Sequence, residues 1–348
     1  MKRSHGAALA AVLAGTIVVG GAAAGETFAD GVVAQQNGDY ATAARIWRVL
    51  ADQGVVYAQY DLGLLYAYGQ GVPRDYGLAA QWYYRAAQAG HADAQANLGV
   101  LYATGLGVKL DYDQAVSWDR KAAAQNNGQA KFNLGVLYER GLGVPTDERQ
   151  AAMWYRAAAD QGVAEAQSNL GMTYARGAGV PRDFAKAAFW YRKAAEQGNA
   201  AAQFNLGLMY ETGQGLPVDY AAARTWYGRA AEQGYAAAKL NIGSLYAEGR
   251  GGPRDDLAAA AWFRQAAEAG DAQARFNLGA MYARGQGVGQ DSVQAHRWFS
   301  LAAAAPPGAA DAEISERAAN ARDELAARMT PDQLAQARAL AATTGTPK

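Results

Sequence analysis

The chain has 348 residues, with 32 basic and 32 acidic side chains and no cysteine. That balance excludes the strong positive field on which nucleic-acid binding depends. Without cysteine no disulfide can hold the fold, and the abundant alanine favours helix.

Residues 1–24 read as a secretory signal peptide. Lys2 and Arg3 form its charged start, residues 7–21 an uncharged and mostly apolar run, and Ala22-Ala23-Ala24 the small residues before a cut after Ala24. The run is shorter than the roughly 20 residues of a spanning helix. No stable membrane insertion is therefore expected after cleavage, and the mature chain is expected in the periplasm or outside the cell. Its charge is 30 basic against 32 acidic residues, a net of −2 once Lys2 and Arg3 are gone.

From residue 55 onward the hexad Asn97-Leu98-Gly99-Val100-Leu101-Tyr102 recurs without change of step. Its glycine falls at 63, 99, 135, 171, 207, 243 and 279, always 36 residues apart. A fixed period of this size is the mark of a repeat architecture. Each unit reads as two antiparallel helices. In the unit from Ala92, helix A covers about 92–104, with Leu98, Leu101 and Tyr102 on one stripe. Gly105 ends it in the left-handed conformation, and Asp111 caps a helix B over about 112–125. Ala115, Trp118, Ala122 and Ala123 form the inner face of helix B, and Asn126 ends it in a place where other units carry glycine. A mid-helix glycine costs about 1 kcal/mol against alanine. Seven such glycines predict a close helix-to-helix approach, with a tryptophan or alanine face of the adjacent helix in the space of the missing Cβ.

A shortened unit over 26–54 precedes the array, with Gly31 in place of the hexad glycine and Trp47 on its second helix. That makes eight helix pairs, and the repeat domain spans 25–305. Pro306-Pro307 stop the array. Two capping helices follow within 306–342, one over 309–328 and one opened by the capping box Thr330-Pro331-Asp332-Gln333. Residues 343–348 are expected to be a disordered tail.

The pattern Ala-Gln-x-Asn-Leu-Gly-x-x-Tyr-x-x-Gly-x-Gly-Val-x-x-Asp, followed by Ala-x-x-Trp-Tyr-x-x-Ala-Ala-x-x-Gly, resembles the Sel1-like repeat, a relative of the tetratricopeptide repeat with a longer inter-helix loop. Residues 202–234 match it nearly throughout. The resemblance implies an all-α, right-handed α/α superhelical solenoid that binds proteins or peptides, often in bacterial envelopes. It also implies that helix A lines the concave face. Carried over position by position, that face displays Phe132 and Phe204, three residues before the hexad glycine, and Arg140 and Arg176, five after it. The asparagine column Asn97, Asn133, Asn169, Asn205, Asn241 and Asn277 faces the same way. An amide both donates and accepts, so the column could clamp an extended peptide backbone. Equally, each asparagine could bond the neighbouring unit.

Nothing points to catalysis, a metal or a cofactor. His91 and His296 stand alone, with no ligand partner at metal-binding spacing. No Gly-x-Ser-x-Gly or Ser-x-x-Lys occurs. The sequence thus describes a non-catalytic scaffold for a protein or peptide ligand. The alternative is a cell-wall glycan, stacked on exposed Tyr and Trp.

Overall fold

A computed structural model describes residues 25–304 and 312–344. The expected leader at 1–24, Pro306-Pro307 and residues 345–348 of the expected tail lie outside the described residues. Among those described there are 18 helices and no strand. The first sixteen form eight consecutive pairs.

The described residues divide into two compact units, one of residues up to 94 together with 106–108, the other of 95–105 together with those from 109 onward. The first unit holds α1 (Phe28–Gln36), α2 (Tyr40–Asp52), α3 (Val56–Tyr68) and α4 (Tyr76–Gln88). The second takes α5 (Ala92–Thr104) from Gln95 onward, then α6 (Tyr112–Ala124), α7 (Gly128–Arg140), α8 (Glu148–Ala159), α9 (Ala164–Arg176) and α10 (Phe184–Glu196). It continues through α11 (Ala200–Thr212), α12 (Tyr220–Glu232), α13 (Ala236–Glu248), α14 (Asp256–Glu268), α15 (Ala272–Arg284) and α16 (Ser292–Ala303). Each unit is an α/α solenoid in which a helix packs on the helices before and after it. In the second unit α17 (Ala312–Ala326) packs on α15 and α16, and α18 (Pro331–Thr344) on α16. The capping box is formed. The Thr330 amide donates to Gln333 Oε1 at 2.9 Å and the Gln333 amide to Thr330 Oγ1 at 3.3 Å. The last helix runs to Thr344, two residues beyond its expected end.

The helix ends follow from the residue types. Asp39, Asp75, Asp111, Asp147, Asp183, Asp219, Asp255 and Asp291 each accept a hydrogen bond from a backbone N–H in the first turn of a B helix. Each thereby satisfies a donor the helix cannot pair itself. Asn126 is the one described non-glycine residue at positive φ, 67°. The second glycine of each Gly-x-Gly pair does more than turn the chain. A Cβ on Gly71 would overlap the carbonyl carbon of Tyr40, and one on Gly179 that of Glu148. The loop of one repeat thus lies directly on the start of helix B in the preceding one.

The hexad glycine does mark a close approach, but its partner is neither tryptophan nor alanine. It is the residue after the tryptophan. A Cβ on Gly135 would stand 2.5 Å from the Tyr155 ring, one on Gly171 2.7 Å from Tyr191, and one on Gly243 2.8 Å from Phe263. Tyr83, Tyr227 and Phe299 occupy the same place opposite Gly63, Gly207 and Gly279, and Trp47 opposite Gly31. In the unit from Ala92 the place is held by Asp119. The tryptophan itself lies one step round the helix, buried or half-buried. The hexad leucine completes the core: Leu62, Leu134, Leu206 and Leu278 are fully buried, each contributing roughly 1.5–3 kcal/mol.

Gly171→Leu should lower the melting temperature far more than Ser168→Leu. The first drives a side chain into Tyr191 and costs about 1–3 kcal/mol or more, whereas leucine already stands at the matching position 240. Circular dichroism melts compare the two, and equal midpoints would deny the glycine its packing role.

Candidate functional site

The framework columns are engaged in packing and in bonds within or between repeats, and this decides what remains for recognition. The buried Gln59, Gln167 and Gln203 donate to the carbonyl oxygens of Ala51, Ala159 and Ala195 at 3.1 Å, tying an A helix to the preceding B helix. Gln197 and Gln233 in turn donate to Gln167 and Gln203. The hexad tyrosines accept from arginines on the preceding helix B: Arg120 to Tyr138 and Arg192 to Tyr210 at 2.8 Å, Arg264 to Tyr282 at 2.9 Å. Cations also cover the tryptophan ladder. Lys121 lies over Trp118, Arg156 over Trp190 and Arg229 over Trp226, at 3.9, 5.2 and 4.6 Å from the ring centroids. Such contacts are worth about 0.5–2 kcal/mol and occupy the ring faces that a sugar would need.

The asparagines are half-buried throughout. Asn133 Nδ2 donates to Asp119 on the preceding helix B at 3.1 Å and its Oδ1 accepts from Gln129 at 3.1 Å. Asn169 and Asn241 hydrogen-bond the hydroxyls of Tyr155 and Tyr227, the ring residues of the preceding B helices. Asn277 accepts from Gln273 at 2.8 Å. Asn133, Asn169 and Asn241 thus bond the preceding helix B, whereas the bond of Asn277 lies within its own helix. Asn97 and Asn205 occupy the same register on α5 and α11.

Phe132 and Phe204 are half-buried as well, their rings 6.0 and 5.6 Å from Tyr155 and Tyr227. Each presents an edge to the surface while its body packs on the core. Arg140 and Arg176 are exposed, and neither makes an ion pair or hydrogen bond among the described residues. Arg176 also edges a hollow of about 250 Å³ between α7, α8 and α9, together with Glu139, Glu148, Tyr155, Met172 and Thr173. The Tyr155 hydroxyl donates to Glu139 Oε2 at 2.6 Å, and Tyr227 to Glu211 Oε2 at 2.7 Å. Burial, then the acceptor carboxylate, pushes both phenols up, so neither ionises at neutral pH.

Sequence reasoning missed the position just after the hexad glycine, which it treated as filler. In the second unit this position carries Val100, Val136, Met172 and Leu208 on successive A helices. Val100 and Leu208 are each 38% exposed, and Val136 and Met172 half-buried. Phe132, Val136 and Arg140 lie at i, i+4 and i+8, hence along one side of α7. Ser168, Met172 and Arg176 repeat this on α9, and Phe204, Leu208 and Thr212 on α11. Phe132 and Val136 of α7 share a core cluster with Leu170 of α9, and Met172 of α9 shares one with Leu206 of α11. Phe132, Val136 and Met172 are thus half-buried against the core between repeats, while Val100 and Leu208 of the same column stand open. The signal was available: an apolar residue at a helix position that the ring column leaves uncovered.

Asp119 departs from the column it stands in. It is 1% exposed where every other repeat places a ring, and among the described residues Asn133 donates to it. Burial pushes its carboxyl up to about 8. In the first unit burial pushes the half-buried Asp61, which stands where later repeats have asparagine, up to about 7. Among the described residues no group of three His, Asp or Glu is placed to hold a metal, and no helix is long and apolar enough to cross a membrane.

A carboxyl whose folded pKa exceeds its unfolded one binds a proton in the folded state only, so stability falls as pH rises between the two values. From about pH 4 to 8 the Asp119 carboxyl should therefore destabilise the fold progressively. Asp119→Asn should flatten that part of the profile, and Asp119→Tyr should raise the melting temperature most at pH 8. Thermal melts from pH 5 to 8 read both; a profile unaltered in Asp119→Asn would rule out the buried acid as its source.

The family model described as Sel1 repeat matches residues 56–91, 92–127, 128–163, 164–199, 200–235, 236–271 and 272–306. Among solved structures, a Sel1 repeat protein from Oxalobacter formigenes is similar at 33% identity and a TM-score of 0.62, over 69% of this chain and 96% of that one. The protein c5321, a protective antigen present in uropathogenic Escherichia coli strains and displaying an SLR fold, is similar at 27% identity and a TM-score of 0.51. That match covers 92% of this chain and 94% of the other. A search of curated proteins gives no significant match.

Proposed function

Given that this chain belongs to the Sel1 repeat family, we propose that it is a non-catalytic binding scaffold which docks a protein or peptide segment on the A-helix face of its second unit. Sel1 repeat proteins generally mediate protein–protein interactions. One observation supports this face in particular: an apolar stripe of Val100, Val136, Met172 and Leu208 left partly open on successive A helices. Apolar side chains held open on a rigid frame are what a partner can bury, at roughly 25 cal/mol per Å² removed from water. Phe132 and Phe204 border the stripe as anchors, aromatic residues being favoured where binding energy concentrates. The asparagine column supports the face from below. The bonds of Asn133, Asn169 and Asn241 to the preceding helix B favour a part for these three in fixing the spacing of the A helices.

The site of action we assign to the periplasm or the exterior of a bacterial cell, on the strength of the leader-like residues 1–24. The charge pattern and the absence of cysteine suit either place. The glycan reading finds less support, since cations cover several of the tryptophans in the second unit.

Leu208→Asp and Val100→Asp replace the exposed side chains of the column and should leave the stability within about 1 kcal/mol of wild type. Each should abolish retention of the physiological partner captured by the wild-type protein from envelope extract. Retention by both variants would place the binding face elsewhere. N-terminal sequencing of the exported product should give Gly25 as first residue, and an intact Met1 would contradict the assignment of the leader.

A further inference from the structure

The first unit departs from the frame twice on one helix. The residue six before the hexad glycine is Tyr57 on α3, where the later repeats carry Asp, Gln, Glu or Ala. The residue two before it is Asp61, where they carry asparagine. Four apart on a helix, the two side chains are neighbours. Tyr57 is 58% exposed. Its ring lies 6.2 Å from that of Phe28 and 5.3 Å from that of His91, which in turn stacks on Tyr60 at 4.4 Å. Four rings thus form one row, and the Asp61 carboxyl stands on the same side of α3 as Tyr57.

No cation of the unit serves that carboxyl. In later repeats Asn169 and Asn241 meet the hydroxyl of the ring on the preceding helix B. Here that ring is Trp47, which has no hydroxyl, and its Nε1 donates to the Phe28 carbonyl at 3.4 Å. Asp61 accordingly makes no hydrogen bond or ion pair among the described residues, and burial alone acts on it. The described part of the unit carries four arginines against seven acidic side chains, a net of −3. Each arginine is engaged elsewhere. Arg45 pairs with Glu26 at 2.5 Å, Arg85 with Asp52 at 3.8 Å, and Arg48 donates to the Tyr66 hydroxyl. Arg74 lies over the Tyr76 ring at 5.7 Å. Tyr57 has no cation over its ring among the described residues. The Nδ1 of His91 accepts from the Ala94 amide at 3.2 Å and burial lowers its pKa, so this ring brings no positive charge to the row.

We propose that this side of α3 seats an arginine side chain presented by an extended segment of a protein partner, its guanidinium laid against Tyr57 and bonded to the Asp61 carboxylate. The site is separate from the docking face argued above for the second unit. A carboxylate drawn half out of water needs donors, and a guanidinium offers two parallel N–H bonds. It also stacks on aromatic faces and is more weakly hydrated than an ammonium, so one group answers both departures. Lysine would answer the charge without the planar fork. A sugar would answer the ring without the charge, and the net of −3 favours the cation.

The test uses fluorescein-labelled nonapeptides of glycine and serine with a central arginine between two leucines. Twins carry citrulline or lysine in its place. Anisotropy is read with the full mature chain at pH 8, above the value of about 7 to which burial moves the Asp61 carboxyl. The citrulline twin should bind roughly tenfold or more weakly than the arginine peptide, with the lysine twin between them. Asp61→Asn and Tyr57→Ala should each erase most of the preference for arginine, and both should fold, since asparagine and alanine stand at matching positions such as 205 and 201. Asp113→Asn, the same charge change on α6, should leave it intact. The proposal is overturned if the arginine peptide is not bound, if the citrulline or lysine twin equals it, or if Asp61→Asn binds as wild type. It is also overturned if a tetramer of N-acetylglucosamine binds in place of the peptide and is lost in Tyr57→Ala, which would make the row a sugar platform.

Discussion

A ring set against a glycine is the contact on which the rest of this structure depends. Where Tyr155, Tyr191 or Phe263 meets Gly135, Gly171 or Gly243, even one methyl group has no room. Helices A and B are thereby drawn together at one level in each repeat, and the levels of everything else follow. The leucine beside the glycine reaches full burial, the ring hydroxyl reaches the asparagine of the next A helix, and the ladder tryptophan is turned one step aside under a cation. The aspartate caps and the close Gly-x-Gly loops then fix where helix B starts and how it lies on the preceding repeat. A side chain at the hexad glycine would separate the two helices and loosen all of these at once.

Because the framework uses its repeated residues for packing, recognition is left to the positions that vary. Three of these, the residues three before and one and five after the glycine, line one side of helix A. That division explains how such a chain can be invariant in architecture and free in specificity: the frame sets spacing to within the tolerance of close packing, and the variable stripe is read against that fixed ruler. It also explains why an aromatic-rich sequence exposes few ring faces. Cations, helix faces and neighbouring rings take them up, and the tyrosine hydroxyls of the frame are held by arginine or glutamate.

The period, the helix pairs, the caps at Asp75 to Asp291 and the left-handed Asn126 were legible in the sequence because each rests on local chemistry that repeats seven times. The family resemblance placed Phe132, Phe204, Arg140 and Arg176 on helix A correctly as to element. Two things were not legible. The partner of the hexad glycine was hidden because tryptophan, the conspicuous residue, stands one place before the true contact, and a 100° step round a helix decides which of two adjacent residues meets the neighbour. The stripe at Val100, Val136, Met172 and Leu208 was hidden for the converse reason: apolar residues within an apolar hexad read as core, and only the packed arrangement reveals that the ring column leaves them open. The asparagines were ambiguous by nature, since an amide facing a groove and an amide facing the next repeat occupy the same register.

Asp119 shows how far one repeat can depart from the rule without losing it. In an array whose stability is the sum of repeat and interface contributions, exchanging a ring for a carboxyl lowers the contribution of the α5–α6 pair. It does so in a pH-dependent way, because the buried carboxyl is stable there only while protonated. One neighbour adjusts in kind: Asn133 donates to the acid where Asn169 and Asn241 bond phenols. The exchange is therefore accommodated as a local polar contact within an unaltered backbone. Opening of that helix pair, more than of the ring-filled pairs that follow, should set the lowest level in the hierarchy of local unfolding in the second unit. The apolar stripe that begins at Val100 has its least stable support at that end and its firmest over α9 and α11.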